Sequence, residues 1–157
     1  MRTAALSACL AAGLFALGTS SAVHATGDEV SLNAKDLKWG AVPPVLPKGA
    51  KIAVLYGNPF KPGPYTLRLA TPAHYRIPPH WHSQTENLTI ISGALYLGMG
   101  DKMNDKAAHA LRVGGYHHLP AQMHHYAFTK APTVIQINGD GPFDINYLDQ
   151  KDNPLAQ

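Results

Sequence analysis

The sequence predicts a single all-β domain, an antiparallel sandwich or barrel, preceded by a cleavable signal peptide. Three observations carry this expectation. Beyond residue 25, short apolar, β-branched and aromatic runs alternate with Pro/Gly punctuation. No segment sustains a helical period over more than about ten residues, so helix should be minor. A length of 157 residues suits one ordinary domain.

The elements follow in chain order. Met1-Arg2-Thr3 is a short positive start, Ala4 to Gly18 is apolar and uncharged, and Val23-His24-Ala25 is a small-residue cleavage pattern. This is the layout of a secretory signal peptide cut after Ala25, and its apolar run is short for a bilayer span. Leu6-Ser7-Ala8-Cys9 superficially resembles a lipoprotein cleavage site, but the apolar stretch follows Cys9 when it should precede it. Cys9 is the one cysteine, so the mature chain has neither a disulfide nor a thiolate ligand.

Residues 26–50 read as an N-terminal arm with Trp39 and the Pro43-Pro44 and Pro47 kinks. It could cover one end of the barrel or cross to a partner subunit; a surface strand and loop is the simpler reading. Residues 51–150 read as the β-barrel and 151–157 as a C-terminal tail. Strands are expected over 51–56, 65–70, 86–91, 94–99, 116–119, 126–129, 133–138 and 144–148. Between them stand the turn signals Gly57-Asn58-Pro59, Lys61-Pro62-Gly63-Pro64, Ile77-Pro78-Pro79, Gly100-Asp101 and Gly139-Asp140-Gly141-Pro142.

The formal net charge of +3 falls to +2 when Arg2 leaves with the signal, and no basic run is present. The composition therefore argues against a nucleic-acid partner and, after processing, against a membrane segment. Histidine is the unusual component. One of the nine lies in the signal, and the other eight all lie from His74 to His125.

The most informative stretch is His80 to Gly93, HWHSQTENLTIISG. His80, His82 and Glu86 share one parity, so on an extended strand all three would point to one face. Imidazole nitrogen with carboxylate oxygen suits divalent iron, copper, nickel, manganese or zinc. Further along stand Gly114, Pro120 and the adjacent His124 and His125, which point to opposite faces of a strand, so parity alone does not choose between them.

Together these residues resemble the two motifs of the cupin superfamily, G-x5-HxH-x3-E-x6-G and G-x5-P-x-G-x2-H-x3-N. The resemblance runs from about His74 to Thr129. It departs at three positions: His74 and Gln122 stand at motif glycines, and Thr129 stands at the final asparagine. It implies a small jelly-roll β-barrel, similar to single-domain quercetin dioxygenase-like cupins. It also implies one divalent metal ion held by His80, His82, Glu86 and His125, with motif spacing selecting His125 over His124. Cupins are commonly dimers, so a homodimer is expected.

Four protein ligands leave one or two positions open on a five- or six-coordinate ion, as substrate or dioxygen activation requires. The expected function is a metal-dependent oxidoreductase of dioxygenase type acting on a small molecule, with Glu86 as ligand and proton acceptor. The alternatives are a non-catalytic metal or ligand-binding module, or an isomerase, lyase or decarboxylase on the same residues. The signal peptide implies a periplasmic or extracellular location. Metal taken up there follows affinity order, which brings copper forward beside iron, with manganese, nickel and zinc still open.

Other residues are candidates of lower rank. His117 or His118 could line the cavity and orient a ligand. A loop could bring His74 to the cavity mouth, and His109 falls in a polar hairpin over 101–110. Arg68 faces opposite to Leu67 and Leu69; an inward position would let it pair with a carboxylate substrate, and outward is simpler. Gln136 and Asn138 raise the same choice.

Overall fold

The computed structural model describes residues 29–156; the expected signal peptide lies outside them. Eleven strands run β1 Gly40–Ala41, β2 Lys51–Tyr56, β3 Gly63–Thr71, β4 Arg76–Trp81, β5 Glu86–Ser92, β6 Ala94–Met99, β7 His109–Arg112, β8 Tyr116–Leu119, β9 His125–Thr129, β10 Thr133–Gly141 and β11 Asn146–Tyr147. Helix among the described residues is confined to three single 3-10 turns. The strands form two antiparallel sheets, ordered β1-β2-β3-β10-β5-β8 and β11-β4-β9-β6-β7.

Alternation along each strand builds the core. On β3, Tyr65, Leu67, Leu69 and Thr71 are buried while Thr66, Arg68 and Ala70 face out. Leu88 and Ile90 on β5 and Ile135 and Ile137 on β10 extend this inner face, and Ile77, Leu95, Leu97 and Ala127 meet it from the second sheet. Arg68 therefore lies on the outer face, where its Nε donates to Gln136 Oε1 at 3.2 Å. Its β10 partner in register is that same Gln136.

Several expectations need correction, among them the turn signal at Gly139-Asp140-Gly141, which lies inside β10. Ile77-Pro78-Pro79, expected as a turn, lies inside β4. The ladder with β9 shifts register between Ile77 and His80, and an irregular ladder is where a strand tolerates prolines that cannot donate. The polar hairpin region ends in a strand, β7, which pairs with β6 and leaves His109 exposed. Most consequential, His80, His82 and Glu86 do not share one strand. His80 is near the end of β4, His82 lies in the corner after it, and Glu86 opens β5 in the other sheet.

The segment read as an arm contributes to the interior. Leu46 is buried in the core. The Tyr147 hydroxyl donates to Val45 O at 2.9 Å and the Tyr75 hydroxyl to Pro47 O at 2.6 Å. Burial raises Tyr147 to about 12, so its hydroxyl stays a donor at neutral pH.

The departures from the motif have a conformational reading. Among the described residues, the non-glycine residues with positive φ are His74 (60°) and Gln122 (63°), the two positions where the motif carries glycine. The left-handed backbone is thus kept without glycine, at a cost of roughly 1–2 kcal/mol each. Gly93 retains its motif identity for a steric reason. At φ 75°, a Cβ there would stand 2.6 Å from both Pro132 O and Thr133 Oγ1. Thr129, at the motif asparagine, ties the turn before β4 by accepting from Tyr75 N at 3.2 Å and donating to Pro72 O at 2.8 Å.

Candidate metal centre

His80 and His125 are direct partners across the β4–β9 ladder, so their side chains stand side by side on the inner face. Their ring centroids are 4.2 Å apart. His82 joins from the corner, its ring 5.0 Å from His80 and 5.2 Å from His125. Ligating atoms of the three imidazoles all lie within 4.8 Å of one another. Glu86 reaches in from the other sheet, with Oε2 3.5 Å from His82 Nε2 and 3.9 Å from His125 Nε2. All four residues are buried, none more than 6% exposed.

Each imidazole is fixed through its outer nitrogen. His80 Nδ1 donates to Pro78 O at 2.7 Å, His125 Nδ1 to Met123 O at 2.9 Å, and His82 Nδ1 to Asp144 O. A carbonyl can only accept, so each Nδ1 carries a proton and Nε2 is the ring nitrogen left for an inner partner. Burial, followed by the neighbouring rings of His125 and His82, holds His80 well below its ordinary pKa. His125 is also lowered, chiefly by burial, against the opposing pull of Glu86.

The donor set fits a divalent cation. Nε2 of His82 faces the carboxylate oxygen of Glu86 across 3.5 Å, two atoms that can each ligate a divalent ion. Ligands about 2.0–2.2 Å from one ion, at right or tetrahedral angles, lie roughly 3.0–3.6 Å apart. The His82–Glu86 separation already falls in that range, and His125–Glu86 needs only a small closure. The three histidines could hold such an ion, with their outer N–H groups anchored as metal-binding histidines usually are.

Around this polar end the cavity is lined by Leu88, Leu97, Ile135, Ile137, Phe143 and Ile145, among other apolar side chains. It leaves about 30 Å³ for the centres of water-sized occupants, room for about two. Phe143 stacks on His82 with centroids 5.2 Å apart.

The remaining candidates are dispersed. His124 turns outward to Asp101, Nδ1 to Oδ1 2.7 Å, as the choice of His125 implied. His118 is exposed and bonds Asn87 at 2.9 Å. His117 is half-buried opposite Leu88, on the inward-facing side of β8, and does not line the cavity. His74 is exposed in the turn before β4, at the other end of the strand from His80. What sequence reasoning missed is Asp144, taken there as the start of a strand. It lies 62 residues from His82, with no local pattern to connect them.

The two antiparallel sheets form a cupin-like fold. The structure is similar to the polyketide cyclase RemF from Streptomyces resistomycificus (TM-score 0.66, 14% identity, covering 81% of this chain and 90% of that one). It is also similar to an acetylacetone dioxygenase from Acinetobacter johnsonii (TM-score 0.61, 14% identity, 83% of each chain). A third likeness is to an RmlC-like cupin from Shewanella frigidimarina (TM-score 0.56, 12% identity, 73% of this chain and 91% of that one). At these identities the likeness is one of fold. No curated protein matches the sequence. The chain belongs to the family described as a domain of unknown function, DUF4437, which matches residues 22–146.

Proposed function

We propose that this protein is a mononuclear metal-dependent oxidoreductase of dioxygenase type, with His80, His82, His125 and Glu86 as the metal ligands. The observation that carries the reading is the convergence of three buried imidazoles, with ligating atoms within 4.8 Å of one another, beside the Glu86 carboxylate in an apolar cavity. A divalent ion bound there supplies Lewis acidity and open coordination positions for a substrate oxygen donor. Glu86 would serve both as ligand and as the acceptor of a substrate proton. The polyketide cyclase and acetylacetone dioxygenase likenesses agree with a small-molecule substrate.

The walls narrow that substrate's chemistry. Beyond the four ligands, the polar side chains lining the cavity are Thr71, Tyr75 and Thr129, and each hydroxyl donates to a backbone carbonyl. A sugar or dicarboxylate would bury polar groups with little to receive them. The substrate is therefore a compact molecule with its oxygen donors at one end and hydrocarbon elsewhere. Oxygen consumption by metal-loaded protein, screened over small enolisable ketones and phenols, tests the reaction class. Strictly anaerobic turnover would place the protein among the isomerases, lyases or decarboxylases instead.

Residues 1–25 act in this proposal as a secretory signal, with residues 26–50, 51–150 and 151–157 as arm, barrel and tail of a periplasmic or extracellular homodimer. Copper or iron is the proposed ion. Elemental analysis of protein exported by its native host decides the metal, and manganese, nickel or zinc predominating would overturn that choice. One observation favours a binding module as the second reading: the cavity lining holds no acid–base group beyond the ligands and the engaged Tyr75 hydroxyl. Ligand binding at the ion without turnover on the same panel would select it.

A further inference from the structure

His80 and His125 are held by strand pairing, but His82 is not. It lies outside any strand, in the corner between β4 and β5, where no ladder fixes its backbone. One residue supplies much of what the ladder does elsewhere. Asp144 O accepts the Nδ1–H of His82. The Asp144 carboxylate meanwhile grips the next residue, with Oδ1 accepting from Ser83 N at 2.8 Å and Oδ2 accepting from Ser83 Oγ. Asn146 Nδ2 donates to the same Oδ2 at 2.9 Å, which steadies the carboxylate. From the other side, Gln122 N donates to His82 O at 2.8 Å.

From this geometry we infer that Asp144 is the positioning residue of the metal centre: its carboxylate clamps Ser83 so that its own carbonyl fixes the ring and tautomer of His82. The inference rests on the metal-site reading proposed above. The backbone carbonyl acts on the imidazole directly, while the side chain holds carbonyl and ligand in register. Histidine ligands oriented through the outer nitrogen bind metal more tightly, and losing such a partner costs roughly 10–100-fold in affinity.

The test uses Co(II), whose visible spectrum reports coordination number and geometry, on the full chain with and without substitution. D144A keeps the carbonyl but removes the clamp. It should weaken Co(II) binding by about 10–100-fold and change the visible bands. D144N retains an oxygen to accept from Ser83 N and an amide to meet Ser83 Oγ, but sets that amide against Asn146 Nδ2, so affinity and spectrum should return part of the way from D144A towards wild type. S83A, which deletes a single exposed hydroxyl, should shift the bands in the same sense as D144A but less; should D144A not fold, this pair decides the matter. A folded D144A with wild-type affinity and spectrum would overturn the positioning role alone, as would D144N and S83A spectra in which S83A matches wild type. Wild-type protein that takes up no Co(II) would overturn the metal site itself, and this inference with it.

Discussion

The two ends of the barrel interior both bury polar side chains and treat them in opposite ways. At one end Thr71, Tyr75 and Thr129 place every hydroxyl on a backbone carbonyl. At the other, about 13 Å away along β9, His80, His82 and His125 spend Nδ1–H outward and bring their ligating atoms within 4.8 Å of one another beside Glu86. The first end is finished by the protein alone. The second gathers imidazole nitrogens and a carboxylate around one point, an arrangement suited to a divalent cation. Buried polarity thus marks function where the groups are left facing each other, and stability where they are paired.

That contrast can be broken most severely at the proposed ligands. H80A or H125A should lower metal affinity by more than the roughly 100-fold that losing an outer partner costs, measured by calorimetry and by metal content after dialysis. A residual affinity equal to wild type would remove that histidine from the site. E86Q should split metal binding from stability. It keeps the shape, and its amide can donate to His82 Nε2, so affinity should fall at least about 10-fold. The metal-free protein should meanwhile gain about 1 kcal/mol in urea unfolding. A loss of stability would show that Glu86 and His82 are already satisfied without an ion.

At the opposite end the outcome should reverse. T129V strands the Tyr75 N–H and Pro72 O, and should cost about 1–3 kcal/mol of stability while leaving metal affinity unchanged. A further effect is expected from pH. Burial holds the folded-state pKa values of His80 and His125 below their ordinary 6.5. As pH falls below about 6.5 the unfolded chain takes up protons that the folded one refuses. Stability of the metal-free protein should be full above about pH 6.5 and decline towards pH 5, read from urea midpoints. Stability that rises on acidification would contradict neutral, buried imidazoles.

Much of the site was legible in the sequence, though partly for a reason the structure replaces. The parity of His80, His82 and Glu86 grouped residues that do converge, but they do so around a corner between two sheets. Pro78 and Pro79 hid β4 because their missing donors read as a turn; a register shift in the ladder accommodates them. The motif glycines replaced by His74 and Gln122 left the turn shapes open, and the left-handed backbone proves independent of glycine at both. His125 could be set apart from His124 only through spacing to Pro120. In the fold, Cα pairing with His80 gives the physical reason.

By itself the sequence determined the all-β class, most of the strands and the four side chains of the proposed site, because period-two burial and ligand chemistry are local properties written residue by residue. Only the tertiary structure decided how those side chains are held. The cross-strand pairing of His80 with His125 joins positions 45 residues apart in the chain. The grip of Asp144 on His82 and Ser83 spans more than 60. Such contacts are set by which strands become neighbours when apolar faces are buried, and no pattern within a strand specifies that.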